Sequence, residues 1–378
     1  MQALTLLSGD AQAFCEKVWA SRVHLHHTEP EQLAGLLSLD DVDHLLTSTA
    51  LRTPALRVVK DGSVLPAGEV TRSASLAGAP LTGLVDGRKV LRHFESGATV
   101  VLQGLHRYWR PLTDLVRALE LELGHPCQAN AYLTPPGSQG FARHSDAHDV
   151  FVFQTHGRKL WEVWDGAGGE EEREVLLEPG LSMYLPTGTP HSARSQEATS
   201  LHVTLGINRV SVRDVLSSLV GRLLADPRYD APLPAGHTVD PRQLAEVLRD
   251  ELPGLADALA AADPEAVAAE RVDAFLTDRV PYLRGGLTDL VGLADLADAT
   301  LLAHRATATC VLRQDGDRLR VLLGDRELRM PVRLTESMEF VRDHETFTVA
   351  ELAPWLDDRS RLVVCRRLVR EGLLRIVR

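Results

Sequence analysis

Apolar residues recur at helical spacing through the first 60 residues of the chain. Phe14, Val18 and Trp19 fall on one helical face, and in "LAGLLSLDDVDHLL" Leu37 and Leu39 lead into a turn capped by Asp40 or Asp41. Alternation of period two begins at "ALRVVKDG", which turns at Asp61-Gly62. A short apolar strand, "ATVVLQGL", precedes an amphipathic helix carrying Leu112, Leu115, Val116, Leu119 and Leu123. From 127 to about 209 the pattern is a series of short strands parted by Gly and Pro turns, which predicts a β-sandwich or barrel.

Beyond 210 the period returns to that of a helix. Val212, Val215, Leu216, Leu219 and Leu223 share a face, and Asp240 with Pro241 forms an N-cap and first helical position. "TCVLRQDGDRLRVLLGDRELRMP" then reads as a hairpin or meander turning at Asp315-Gly316 and Gly324-Asp325. The last stretch, "FTVAELAPWLDDRSRLVVCRRLVREGLLRIVR", reads as helix, helix and terminal strand, the order of a winged helix.

Composition narrows the class. With 378 residues, 44% hydrophobic and 25% charged, the chain is long enough for two or three folded domains. It has no apolar run of membrane-spanning length and no basic leader, so a cytoplasmic protein without a membrane partner is expected. Cys15, Cys127, Cys310 and Cys365 lie far apart with no C-x-x-C spacing, which suggests neither disulfides nor a cysteine-rich zinc site. A net charge of −11 disfavours nucleic acid and suits a basic protein partner.

The candidate chemistry lies in "NAYLTPPGSQGFARHSDAHDVFVFQ", residues 130–154. On an extended segment His144 and Asp146 point to one face, and His191 in "GLSMYLPTGTPHSARS" offers a third ligand. Two imidazoles and a carboxylate around one ion, with other positions open, is the facial triad of non-haem Fe(II) and O₂ chemistry. His148 lies on the same alternation, so His144 and His148 form a competing pair that reaches one ion only if the chain curls. Asp149 falls on the opposite face and reads as a turn or hydrogen-bonding residue.

Other polar residues occur at strand parity: Asn130 with Tyr132, Lys159 at the start of "KLWEVW", and Ser200, His202 and Thr204 in "SLHVTLGI", opposite Leu201, Val203 and Leu205. Such strands fit a barrel with a polar, ligand-binding interior, and equally fit surface strands. A Lys among apolar residues needs an anion, unless it lies at the surface with its stem covered.

The run "NAYLTPPGSQGFARHSDAHDVFVFQTHGRKLWEVW", with "LEPGLSMYLPTGTPHSA" and "SLHVTLGI", resembles the JmjC-type cupin oxygenases of the ribosomal oxygenase group. The resemblance implies an α+β chain in three parts: a double-stranded β-helix (cupin/JmjC) catalytic domain with a helical lead-in over 1–210, a helical dimerisation domain over 211–295, and a winged-helix domain over 296–378. It implies Fe(II) held by His144, Asp146 and His191. It places the distal carboxylate of the cosubstrate 2-oxoglutarate on Lys159, with Asn130, Tyr132 and Ser195 in the same pocket. Lysine at position 159 follows the histidyl-hydroxylase pattern of the group, where the bacterial arginyl-hydroxylases hold arginine.

The implied activity is hydroxylation of a histidyl or arginyl side chain of a ribosomal protein, with succinate and CO₂ as coproducts, by a homodimer. Two other readings stand beside it. The same chemistry could act on a peptide or amino acid in secondary metabolism. A non-catalytic metal-binding cupin could instead use its winged helix, where Arg361, Arg366, Arg367, Arg370, Arg375 and Arg378 cluster, to bind nucleic acid. For that cluster a solvated basic face on a scaffold domain is the favoured reading.

Overall fold

The strand "DVFVFQTH" is apolar on both faces because both are covered. Phe151 and Phe153 enter a core shared with the N-terminal helices, and Val150 and Val152 enter a second core on the other side. Both phenylalanines are fully buried, each stabilising the fold by about 1.5–3 kcal/mol. The structure, a computed structural model, describes residues 3–138, 142–165, 171–195 and 197–377, the side chains of Glu171 and Ser195 excepted. It divides into two compact units, Met1–Arg209 and Val210–Arg378.

The helices of the first unit are α1 (Ala3–Ser8), α2 (Ala11–Lys17), α3 (Pro30–Ala34), α4 (Leu39–Thr47), α5 (Gly87–Glu95) and α6 (Arg110–Leu123). Its strands are β1 (His24–His27), β2 (Leu56–Lys60), β3 (Ser63–Val64), β4 (Ser75–Leu76), β5 (Ala79–Pro80), β6 (Thr99–Leu102), β7 (Cys127–Thr134), β8 (Asp149–His156), β9 (Lys159–Asp165), β10 (Glu171–Leu177), β11 (Leu181–Leu185), β12 (His191–Ser195) and β13 (Ser200–Ile207). An eight-stranded sheet runs β1-β11-β8-β13-β7-β6-β2-β3, and a three-stranded sheet runs β10-β9-β12. Val150, Val152, Met183 and Leu185 of the first meet Trp161, Val163, Val175 and Leu177 of the second in one cluster, so the two sheets face each other across an apolar core. This is the JmjC/cupin architecture.

Helix α6 buries Leu112, Leu115, Val116 and Leu119 and stops at Gly124, whose φ of 71° is one that glycine adopts without strain. The turn at Asp61-Gly62 joins β2 to β3 with both residues at positive φ. Two expectations in the N-terminal segment are corrected. Leu39–Thr47 is a helix, not a turn, and Ser38 caps it in a reciprocal capping box with Asp41. His24–His27 is a strand inside the stretch read as helical, because β11 offers it an edge: His24 pairs with Tyr184 and His27 with Leu181.

The second unit begins with α7 (Val212–Leu223), α8 (Pro241–Ala260) and α9 (Pro264–Phe275), and Asp240 caps α8 as the sequence predicts. None of the three buries a residue, and Val212, Leu216, Leu248, Leu252 and Val272 are exposed. Then come α10 (Gly286–Gly292), β14 (Leu301–His304), the meander β15 (Val311–Asp315), β16 (Arg318–Leu322) and β17 (Glu327–Pro331), and α11 (Thr335–Asp343), β18 (Thr346–Thr348), α12 (Asp358–Arg370) and β19 (Leu374–Ile376). The first helix expected in the terminal stretch is only a 3₁₀ turn at Val349–Leu352, too short to bury more than Val349 and Leu352.

The arginine run is not a solvated face throughout. Arg361 is 8% exposed and ion-paired with Asp298 and Asp358; Arg366 donates to Leu296 O, and Arg367 pairs with Glu371. Arg378 lies outside the described residues.

Candidate functional site

His144 and His191, distant in sequence, form a single antiparallel bridge: His144 N–H donates to His191 O (3.0 Å) and His191 N–H donates to His144 O (2.8 Å). The expectation of a continuous strand carrying His144 and Asp146 is thereby corrected. Residues 145–148 form a loop, and β8 starts only at Asp149. What unites the ligand candidates is this bridge, together with a hydrogen bond from Gly188 N–H to Asp146 O (2.9 Å). One atom from each of His144, Asp146 and His191 lies within 4.8 Å of the others, and His191 Nε2 stands 3.7 Å from Asp146 Oδ2.

The imidazoles are oriented for coordination. His144 Nδ1 lies 2.8 Å from Ala142 O and His191 Nδ1 3.0 Å from Thr189 O. A carbonyl only accepts, so each Nδ1 is the donor and each Nε2 is the ring nitrogen turned to an ion. Burial lowers the His191 pKa and the His144 ring lowers it further, against the opposing pull of Thr189 O and Asp146, so the neutral form that ligates metals is favoured.

A cavity of about 230 Å³ extends from these residues, walled by Arg57, Tyr132, Lys159, Trp161, His202 and Thr204. Lys159 is 3% exposed, and burial lowers its pKa from 10.5 to about 7. Its Nζ donates to Thr134 Oγ1 at 3.2 Å, and no carboxylate among the described residues forms an ion pair with it. His202 stacks on Tyr132 (4.8 Å between centroids), and burial, with the nearby Lys159, keeps its imidazole neutral. Tyr132 is hydrogen-bonded to Thr204 and Arg57, and burial raises its pKa. The buried atoms His202 Nδ1 and Trp161 Nε1 have no hydrogen-bond partner among the described residues.

The "SLHVTLGI" strand resolves as a divided one: Leu201, Val203 and Leu205 are in the helix-side core, while His202 and Thr204 face the cavity. Asn130 is not among the cavity-lining residues; its Oδ1 accepts from Gly104 N–H (3.0 Å). Ser195 is the strand partner of Lys159, and its side chain lies outside the described residues. His148 packs against Gly206 and is not one of the three residues that converge. Arg57 and Trp161 also line the cavity, though the sequence pattern singles out neither. The signal for Arg57 was the parity of "LRVVK", which buries Leu56 and Val58 on the face opposite it.

A divalent ion and a small dicarboxylate fit this site. Two neutral imidazoles and one carboxylate suit Fe(II). The buried Lys159 amine, with no carboxylate partner among the described residues, and the orphaned polar atoms suit an anionic, hydrogen-bonding guest, which would favour the ammonium form.

Residues 106–215 match the JmjC domain family. The bifunctional lysine-specific demethylase and histidyl-hydroxylase NO66 of Drosophila grimshawi is 30% identical over 172 residues, 38% of this chain and 24% of that protein. Ribosomal oxygenase 1 of Homo sapiens is 33% identical over 131 residues, 30% of this chain and 20% of that protein. The chain spans about a quarter of the length of the curated relatives it matches. The crystal structure of Escherichia coli ribosomal oxygenase YcfD superposes with a TM-score of 0.53 at 18% identity, over 98% of this chain and 99% of that one, which shows a common fold. A further YcfD structure, in complex with cobalt and 2-oxoglutarate, matches with a TM-score of 0.50 at 18% identity and the same coverage.

Proposed function

We propose that this chain, whose residues 106–215 are a JmjC domain similar to those of ribosomal oxygenases, is an Fe(II)- and 2-oxoglutarate-dependent oxygenase that hydroxylates a histidyl or arginyl side chain of a ribosomal protein. The observation that carries this reading is Lys159, a buried amine with no carboxylate partner among the described residues, which lines the same cavity as His144, Asp146 and His191. In this reading the three side chains hold the iron. With 2-oxoglutarate and O₂, the bound iron supplies the oxidising power for C–H hydroxylation, as the cosubstrate is converted to succinate and CO₂.

The chain's own residues bind, orient and exclude water. Lys159 holds the far carboxylate of the cosubstrate by a charge-assisted hydrogen bond. Ala142 O and Thr189 O keep the protons on Nδ1 of the two histidines and their rings aimed at the ion. Trp161, Val150, Val152 and Leu185 form the apolar part of the wall, which keeps water from the cosubstrate.

The test is aerobic incubation of the full chain with Fe(II) and 2-oxoglutarate, reading succinate, beside intact-mass analysis of ribosomal proteins from cells with and without the gene. The expected result is succinate formation and one ribosomal protein lighter by a single oxygen in the deletion strain. Absence of 2-oxoglutarate binding would overturn the reading.

A homodimer through α7–α9 belongs to the same proposal, as does a winged-helix role for residues 296–378. Helices that bury no residue in one chain while exposing Leu216, Leu252 and Val272 are stabilised by a second copy. Leu216→Asp with Leu252→Asp is expected to halve the mass measured by light scattering; an unchanged mass would reject this interface. Cytoplasmic location is part of the proposal too, supported by the four free cysteines.

A further inference from the structure

Asp149 lies three positions beyond Asp146, is fully buried, and touches neither the cavity nor the three converging side chains. Its carboxylate is nevertheless a centre of contacts. Oδ1 accepts from Thr187 N–H (2.7 Å) and from Thr187 Oγ1 (2.6 Å), and it is ion-paired with Arg209, whose Nε lies 3.2 Å away. Oδ2 accepts from the Tyr184 hydroxyl, which itself accepts from Ala20 N–H at 3.0 Å. Such a group, taken out of water, costs several kcal/mol unless paired and fully hydrogen-bonded, and here it is both.

Its partners are specific. Thr187 opens the turn that ends at His191, and Asp149 closes the loop that begins at His144. The β-ladder of β8 with β11 stops at the pair Val150 and Leu185. From there to the His144–His191 bridge only Gly188 N–H to Asp146 O joins the two segments by backbone. Across this gap in the ladder the Asp149 side chain supplies the acceptors that a neighbouring strand would otherwise offer. The two segments carrying the three ligand candidates are tied at one end by the bridge and at the other by this carboxylate.

We infer that Asp149 is a positioning residue, which sets the separation of Asp146 from His191 by clamping the Thr187 turn and so fixes the affinity of the site for a divalent ion. The inference rests on the metal-binding reading of His144, Asp146 and His191. It adds that an acid outside the cavity sets how tightly they bind.

The test is titration of the full chain with Co(II), followed by its visible absorption, at a temperature where circular dichroism shows every variant folded. Asp149→Asn is expected to weaken Co(II) binding by about 10- to 100-fold, the range for loss of a group that orients metal ligands. Thr187→Val, which removes one hydrogen bond, is expected to weaken it by about fivefold. Thr187→Ser keeps the hydroxyl and should restore wild-type affinity. Val58→Ala, a cavity mutation in the helix-side core, lowers Tm and should leave Co(II) affinity unchanged. If Asp149→Asn and Thr187→Val bind Co(II) like the wild type, or if Val58→Ala weakens binding as much as they do, Asp149 is only structural and the inference falls. Failure of the wild-type chain itself to bind Co(II) would instead overturn the metal-site reading and the inference with it.

Discussion

Asp146→Ala is expected to abolish Fe(II)-dependent succinate formation, by at least about two orders of magnitude, while His148→Ala retains iron binding. Loss of a group that merely orients a ligand costs about 10- to 100-fold, and Asp146 brings the only carboxylate to the three converging side chains. Without it two neutral imidazoles remain, a set with no negative charge to hold a hard divalent ion in a face-capping arrangement. His148 differs because its ring lies against Gly206, where a Cβ would come within 2.7 Å of it. Metal analysis by mass spectrometry after anaerobic loading, paired with succinate measurement, decides the matter. Iron lost from His148→Ala and kept in Asp146→Ala would reverse the assignment.

The second large effect is expected at Lys159, where affinity for 2-oxoglutarate should depend on pH. In the ligand-free chain burial lowers the pKa of this amine from 10.5 to about 7, so above pH 7 it is increasingly neutral. A bound dicarboxylate favours the ammonium and takes up a proton in that range. Kd should therefore rise by up to tenfold per pH unit above about 7, until the pKa of the bound state is reached. Lys159→Arg carries a charge at every accessible pH and should flatten the profile. Lys159→Met should weaken binding by roughly 10- to 100-fold, as expected for a lost charged hydrogen bond.

The same shift has a signature in stability. Between pH 7 and 10.5 the unfolded chain binds the Lys159 proton and the folded, ligand-free chain does not. The contribution of this group to stability is thus present above about 10.5 and is lost as pH falls through about 7. Lys159→Met should be more stable than the wild type at neutral pH in the absence of ligand. Calorimetric binding across pH 6.5–9, with thermal melts of the ligand-free proteins, measures both effects. A pH-independent Kd for the wild type would show that Lys159 does not meet the anion.

Much of this was legible one residue at a time. Asp240 before Pro241, the Asp61-Gly62 turn and the apolar stripe of α6 follow from rules that act over one to four positions, and the structure has them where the sequence places them. The division of "SLHVTLGI" into an apolar and a polar face follows from strand parity; that the polar face, with His202 and Thr204, lines a cavity is a tertiary fact. Parity failed at residues 145–148, where the chain leaves the ladder and the side-chain carboxylate of Asp149 takes over from backbone pairing. It could not place His24–His27 in a strand either, because the edge that pairs with it is supplied by β11.

By itself, then, the sequence determined the local elements and the kinds of ligand atoms available. Only the tertiary structure decided which of them meet. The bridge between His144 and His191 exists because two sheets close on a common core, and the charge on Lys159 is set by how completely that closure removes it from water. Both depend on packing summed over residues far apart in the chain, a quantity that no local pattern carries.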